Sequence, residues 1–157
     1  MKDLNLPPAD LKIVQDKGTL KIFDFIRKKY LVLTPEEWVR QNFIHFLVFH
    51  RGFPGGLLKL ESGVKYYQRK GRYDAVFMDR KGSPLLLIEC KAPQIKIDKD
   101  TLNQAARYNS KTRAPYLALT NGMEHYFIKV EFLENKLIAL PEMPTYEYLA
   151  DQTGRNG

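Results

Sequence analysis

The stretch "LLLIECKAP", Leu85 to Pro93, constrains this chain more than any other. Leu85, Leu86, Leu87 and Ile88 form a short continuous apolar run, the pattern of a strand covered on both faces. Glu89 and Lys91 then close it. Burying a charge is costly unless the charge is paired or bound to something. Such a strand ends either in a structural ion pair or in a site, and it calls for an α/β layer arrangement around it.

The remaining segments supply the layers. "LNLPPAD" reads as an extended, Pro-stiffened lead-in, and "LKIVQDKGTLKIFDF" as two strands joined by "DKGT", where Gly18 can take positive φ. "YLVLT" continues the β character. "TPEEWVRQNFIHFLVFH" reads as a helix with Thr34 as N-cap, Pro35 in the first helical position and acidic residues in the first turn. Val39, Phe43, Phe46 and Leu47 share one face of it, and "RGFPGG" stops it. "GVKYYQ", "YDAVFMD" and "LLLIECKA" read as strands, the last two as an antiparallel hairpin through "RKGSP". "DKDTLNQAARYNSKT" is a second helix capped by Asp98, Asp100 or Thr101, followed by strands in "APYLALTNG", "HYFIKVEF" and "KLIALP". With no repeat and no internal boundary, the expectation is one domain. It has an N-terminal β extension over 1–33, a core over 34–140 and a tail over 141–157 whose tip is disordered.

Composition narrows the chemistry. Hydrophobic residues make up 44% of 157, enough for a core, so disorder is not the default. Lys and Arg number 25 against 18 Asp and Glu, a net charge of +7 that attracts polyanions, nucleic acid being the commonest. Many basic proteins nonetheless bind nothing anionic. The single cysteine, Cys90, excludes a disulfide framework and a cysteine zinc site. No "GxxxxGK[ST]" loop occurs, so an ATP-driven motor is not expected within this chain. The absence of a signal-peptide core or a long apolar run makes a reducing cytoplasm the expected location.

Strand alternation puts Leu85, Leu87, Glu89 and Lys91 on one face and Leu86, Ile88 and Cys90 on the other. If the turn lies around "RKGS", residue 78 faces residue 85 and Asp74 sits opposite Glu89. Two opposed carboxylates repel. A divalent cation, Mg²⁺ or Mn²⁺, reverses that sign, can polarise a phosphodiester and lowers the pKa of a bound water. Lys91 could then orient or deprotonate the water, or neutralise charge in the transition state. Taken from the residues alone, a metal site and a structural ion pair both stand.

Further residues extend the pattern. On the first helix Glu37 suits a capping box with Thr34, whereas Glu36 falls near the sector of Val39, Phe43 and Leu47. Gln104 and Tyr108 are four apart and share a face of the second helix, unless Tyr108 is simply core. "KYYQRKGR" mixes Lys65, Arg69, Lys70 and Arg72 with two tyrosines, a composition that can contact phosphates and stack on bases. Lys96, Lys99, Lys111 and Arg113 could extend that patch, and strand alternation with solvated cations explains the same residues. His45, His50 and His125 share no metal-ligand spacing and read as structural or exposed.

"LTPEEWVRQNFIHFL", "GRYDAVFMDRKGSPLLLIECKAP", "NQAARYN" and "PYLALTNG" together resemble the N-terminal nuclease domain of the type I restriction enzyme R subunit, in a short stand-alone form and within the PD-(D/E)xK nucleases. The resemblance runs from about Thr34 to Gly122, and "ECKAP" after an apolar strand is its most specific piece. It implies a restriction-endonuclease-like fold, a central mixed sheet flanked by helices. It also implies a metal site at Asp74, Glu89 and Lys91, and related nucleases add a third acidic group from the first helix, for which Glu36 and Glu37 are both candidates and Glu36, facing the sheet, is the better placed. Gln104 and Tyr108 match a Q-x-x-x-Y motif that lines the site in several such nucleases. The implied activity is Mg²⁺- or Mn²⁺-dependent hydrolysis of DNA, with translocation or targeting from a partner subunit and a homodimer where both strands are cut. The alternatives are a nucleic-acid-binding module of the same fold without catalysis, and an interaction domain with a buried ion network.

Overall fold

A computed structural model describes residues 1–60 and 74–154. The expected strand "GVKYYQ" and the basic residues Lys65, Arg69, Lys70 and Arg72 lie outside the described residues.

The domain is α/β, as the sequence requires. Strands β1 (Ile13–Asp16), β2 (Thr19–Asp24) and β3 (Lys29–Val32) form a small antiparallel sheet. Helix α1 (Pro35–Arg51) follows, then a 3₁₀ turn at Gly55–Leu57 and a six-stranded sheet. Its strands are β4 (Leu58–Leu60), β5 (Ala75–Met78), β6 (Pro84–Cys90), β7 (Tyr116–Thr120), β8 (His125–Glu131) and β9 (Lys136–Leu140), in that spatial order. Every neighbouring pair is antiparallel except β6 and β7, which are parallel. A parallel pair needs a crossover, and helix α2 (Lys99–Thr112) supplies it.

The apolar run of β6 is buried on both faces, as its sequence demands. Leu86, Ile88 and Cys90 join Val39, Phe43 and Leu47 of α1 in one core, while Leu87 joins Val76, Ala105 of α2, Leu117 and Leu119 in the other. Each such large side chain contributes about 1.5–3 kcal/mol by leaving water. Phe46 is only half-buried at the edge of the first core. Thr34 caps α1, its hydroxyl accepting from the Glu37 N–H at 3.0 Å, and Pro35 opens the helix. Asp98 caps α2 in a capping box with Thr101.

Three features depart from the sequence reading. The hairpin register matches at Ala75–Ile88, Val76–Leu87 and Phe77–Leu86, but an irregularity at Phe77/Met78 sets Met78 opposite Pro84 rather than Leu85. Strand β4, which lies beyond the "RGFPGG" helix stop in a stretch given no element from sequence, pairs with β5 at the sheet edge. The segment after Pro141 is not a bare tail: helix α3 (Tyr146–Gly154) buries Tyr146 and Leu149 in the α1-side core. Tyr146 packs edge-on against Phe53 and donates its hydroxyl to the Met78 carbonyl at 3.2 Å.

The lead-in is tied to the same end of the sheet as Glu89. Asn5 N–H donates to the Gly122 carbonyl at 2.8 Å, and the Trp38 indole donates to the Lys2 carbonyl. Gly122 has φ +87°, and a Cβ there would meet the Leu4 side chain at 2.7 Å. The left-handed backbone is what favours glycine at this position, and a larger residue would also have to displace the tip of Leu4. Among the described residues no helix is long and apolar enough to cross a membrane.

Candidate functional site

Three elements converge where β5 begins and β6 ends. Asp74 lies one residue before β5, its N–H bonded to the Ile88 carbonyl at 3.1 Å, so the hairpin ladder brings it beside Glu89. Its carboxylate is held from two sides. Oδ2 accepts from the Cys90 N–H at 2.6 Å, and Oδ1 accepts from Arg40 Nη2 at 2.7 Å. Lys91 follows β6, its own N–H bonded to the Thr120 carbonyl at 2.8 Å, which fixes its backbone against the end of β7.

Helix α1 contributes its first turns. Arg40 bonds Glu36 through Nη2 at 3.0 Å and Glu37 through Nη1, so one guanidinium serves three carboxylates. Glu37 does not reach back to complete a capping box. Its side chain turns inward to Arg40 and accepts from Gln41 Nε2 at 2.7 Å. Gln41 also lies near Asp24 of β2 and helps to lower its pKa. Burial raises the Asp24 pKa, and Arg27 and Gln41 more than offset it, leaving the carboxyl below its usual range. A hydrogen-bonded chain thus runs along α1 from Gln41 through Glu37 and Arg40 to Asp74.

Glu89 is the least satisfied member. Its side chain is 13% exposed, Lys91 Nζ lies 3.6 Å from Oε1, and Oε2 is buried with no hydrogen-bond partner among the described residues. Burial, then the nearby Asp74, push its pKa up to about 8, against the pull of Lys91. Glu36, half-exposed at the mouth, is raised by burial and then by Asp74. Burial disfavours the charge on Arg40, but Asp74 and Glu37 outweigh it and hold the guanidinium firmly charged. The Cys90 thiol, fully buried behind the site, is pushed well up by burial and then by Asp74.

The structure thus brings together Asp74, Glu89, Lys91 and Glu36. Gln104 and Tyr108 are half-buried on α2, and neither makes a hydrogen bond to these residues. Lys96 is exposed on the loop before α2, and Lys99 and Lys111 within α2 and Arg113 at its C-terminal end are exposed as well. Arg113 caps α2 and stacks over the Phe132 ring at 4.1 Å. His125 is structural, bonded to Thr120 and to the Asn5 carbonyl.

Arg40 and Gln41 are the contributors that sequence reasoning missed, and Glu37, read there as a capping-box residue, instead joins them. The signal was present: a basic residue three and four positions after two acidic ones is ion-pair spacing on a helix. Among the described residues no group of three or more His, Cys, Asp or Glu forms a ready metal cage, because Arg40 stands among the carboxylates. The donor set still suits a hard divalent cation. Glu36, Asp74 and Glu89 are oxygen donors in mutual electrostatic reach, and Glu89 Oε2 has no hydrogen-bond partner among the described residues. Among the described residues, the four carboxylates of Glu36, Glu37, Asp74 and Glu89 gather around two cations, Arg40 and Lys91.

Comparison with known families places the chain. The family model described as "Type I restriction enzyme R protein N terminus (HSDR_N)" matches residues 35–144, from the start of α1 to the approach of α3. No curated protein matches the chain.

Proposed function

Because the chain belongs to the family of type I restriction enzyme R protein N termini, we propose that it is a divalent-metal-dependent phosphodiesterase domain acting on DNA. The observation that carries this reading is the orphaned, buried Glu89 Oε2 beside Asp74, a pair that is costly unless a cation joins it. Asp74 and Glu89 would hold Mg²⁺ or Mn²⁺, with Glu36 at the open side. Such an ion, when bound, supplies Lewis-acid polarisation of the phosphate and a water of lowered pKa.

The chain's own residues do the rest. The Cys90 N–H fixes the orientation of Asp74. Lys91, its backbone pinned to Thr120, extends its amine over Glu89. From there it can donate to an attacking water or to a phosphate oxygen and stabilise the charge that develops. Lys96, Lys99 and Lys111 and the basic segment 65–72 are proposed to meet the DNA backbone, which positions the substrate without reading sequence. Gln104 is proposed to turn toward the site only with substrate present. A partner subunit would supply translocation or targeting, and a second copy of the chain would be needed to cut both strands.

A titration of Mn²⁺ by calorimetry tests the reading, on wild type and Asp74→Asn, together with cleavage of plasmid and single-stranded DNA. Binding that is lost in Asp74→Asn, with cleavage lost in Asp74→Asn and Lys91→Ala, is the expected result. One observation favours a second reading, a DNA-binding module without catalysis: both Asp74 oxygens already have partners within the protein. DNA retention by wild type with no metal uptake at millimolar concentration would decide for the module.

A further inference from the structure

Arg40 is the most heavily used side chain at the site, and neither the family match nor the proposed chemistry gives it a task. Its guanidinium is 15% exposed and bonds Asp74, Glu36 and Glu37 at once. A buried ion pair is a weak device for stability, since desolvation offsets most of the attraction. A cation placed on a metal-ligating carboxylate opposes a metal ion directly, because two positive centres would then share Asp74 Oδ1.

Resting on the metal-site reading above, we infer that Arg40 is the resident counter-cation of this site. It holds Asp74 and Glu36 in the metal-free protein, competes with a divalent cation for Asp74, and swings back onto Glu37 when that cation binds. The anchoring makes the exchange feasible. Glu37 is fixed from behind by Gln41, so Arg40 keeps a buried partner after it leaves Asp74. Asp74 keeps the Cys90 N–H on Oδ2, so it stays in place when Oδ1 is freed. Lys91 cannot substitute, because its amine is directed to Glu89. Arg40 is thus a positioning residue whose charge sets the threshold concentration at which the site fills.

The consequence is a measurable antagonism. Arg40→Met keeps most of the side-chain length without the charge and should bind Mg²⁺ and Mn²⁺ about tenfold or more tightly than wild type by calorimetry. Arg40→Lys, which retains charge but cannot bridge three carboxylates, should fall between them. Should Arg40→Met fail to fold with Glu37 left unpaired, Arg40→Met/Glu37→Gln removes both charges and keeps the Gln41 contact. The same tightening is expected of it. In the wild-type ¹⁵N spectrum the Arg40 Nε–H signal should be slow to exchange without metal and shift on adding Mg²⁺. An unmoved Arg40 signal during Mg²⁺ uptake, or equal or weaker binding by the variants, overturns this inference and leaves the metal site standing. Uptake by the variants but not by wild type supports it, with Arg40 then shutting the site. Failure of all of them to bind overturns both readings.

Discussion

The two ends of the β5–β6 hairpin carry ion pairs of the same length in opposite settings. At the turn, Arg80 reaches Glu147 of α3 at 2.7 Å, with both side chains more than half exposed. At the other end Arg40 reaches Asp74 at 2.7 Å, with both about 15% exposed. The aspartates flanking the strand differ likewise. Asp79 takes the N–H groups of Lys81 and Ser83 and simply closes a turn. Asp74 takes one N–H and one guanidinium and sits beside a carboxylate that has no hydrogen bond on one oxygen. Equal distance therefore says nothing about consequence. Solvent screens the first pair, and desolvation magnifies the second.

Breaking the buried pair should have the largest effect. Arg40→Met in the metal-free protein leaves Asp74 and Glu37 without their cation and should cost about 3–5 kcal/mol of stability, read by urea unfolding in EDTA. Added Mn²⁺ should restore much of that loss, whereas it can do nothing for a merely structural defect.

A second variant sharpens the comparison through pH. Burial and Asp74 raise the Glu89 pKa from 4.5 to about 8, so the folded protein favours its neutral form. The sign follows directly. This group's contribution to stability is complete below pH 4.5 and is lost as pH rises through 8, because the folded state holds a proton that the unfolded state has released. Glu89→Gln should remove that dependence, flattening unfolding free energy between the two limits by about 2–4 kcal/mol. An unchanged slope would mean that Glu89 is ionised in the metal-free protein.

The smallest effect belongs to the exposed end. Glu147→Ala should leave the melting temperature within error at physiological salt and shift it slightly, if at all, only at low salt. A marked loss would show that Arg80, which also lies over the Tyr146 ring at 5.0 Å, holds α3 in place.

Much of this contrast was legible in the sequence because its signals are local. Thr34 and Pro35 mark a helix start by their own backbone requirements, and the alternation in Leu85–Lys91 fixes which residues share a face. The hairpin register followed from turn position and failed only at the Met78 irregularity, which no alternation pattern encodes. Helix α3 was not legible. It is nine residues long with two fully buried side chains, and it forms because Phe53 and Phe77 offer a surface that the local sequence does not announce. Nor was the role of Arg40, since its spacing to Glu36 and Glu37 describes an ordinary exposed pair on a solvated helix. Only the docking of α1 against β5, which brings in a carboxylate 34 residues away, turns that pair into a buried junction.

The lone parallel pairing in the sheet also governs where the chain can change length. Because β6 and β7 run the same way, the segments leaving both emerge at the Glu89 end, and there they are stitched together. Asn121 donates to the Ile95 carbonyl, Lys91 to Thr120, and Asn5 to Gly122. The connections at 79–83, 113–115 and 132–135 all lie at the far end, where Leu133 stands fully in solvent. A change of length in any of those three connections would therefore leave the rim that carries Asp74 and Glu89 untouched.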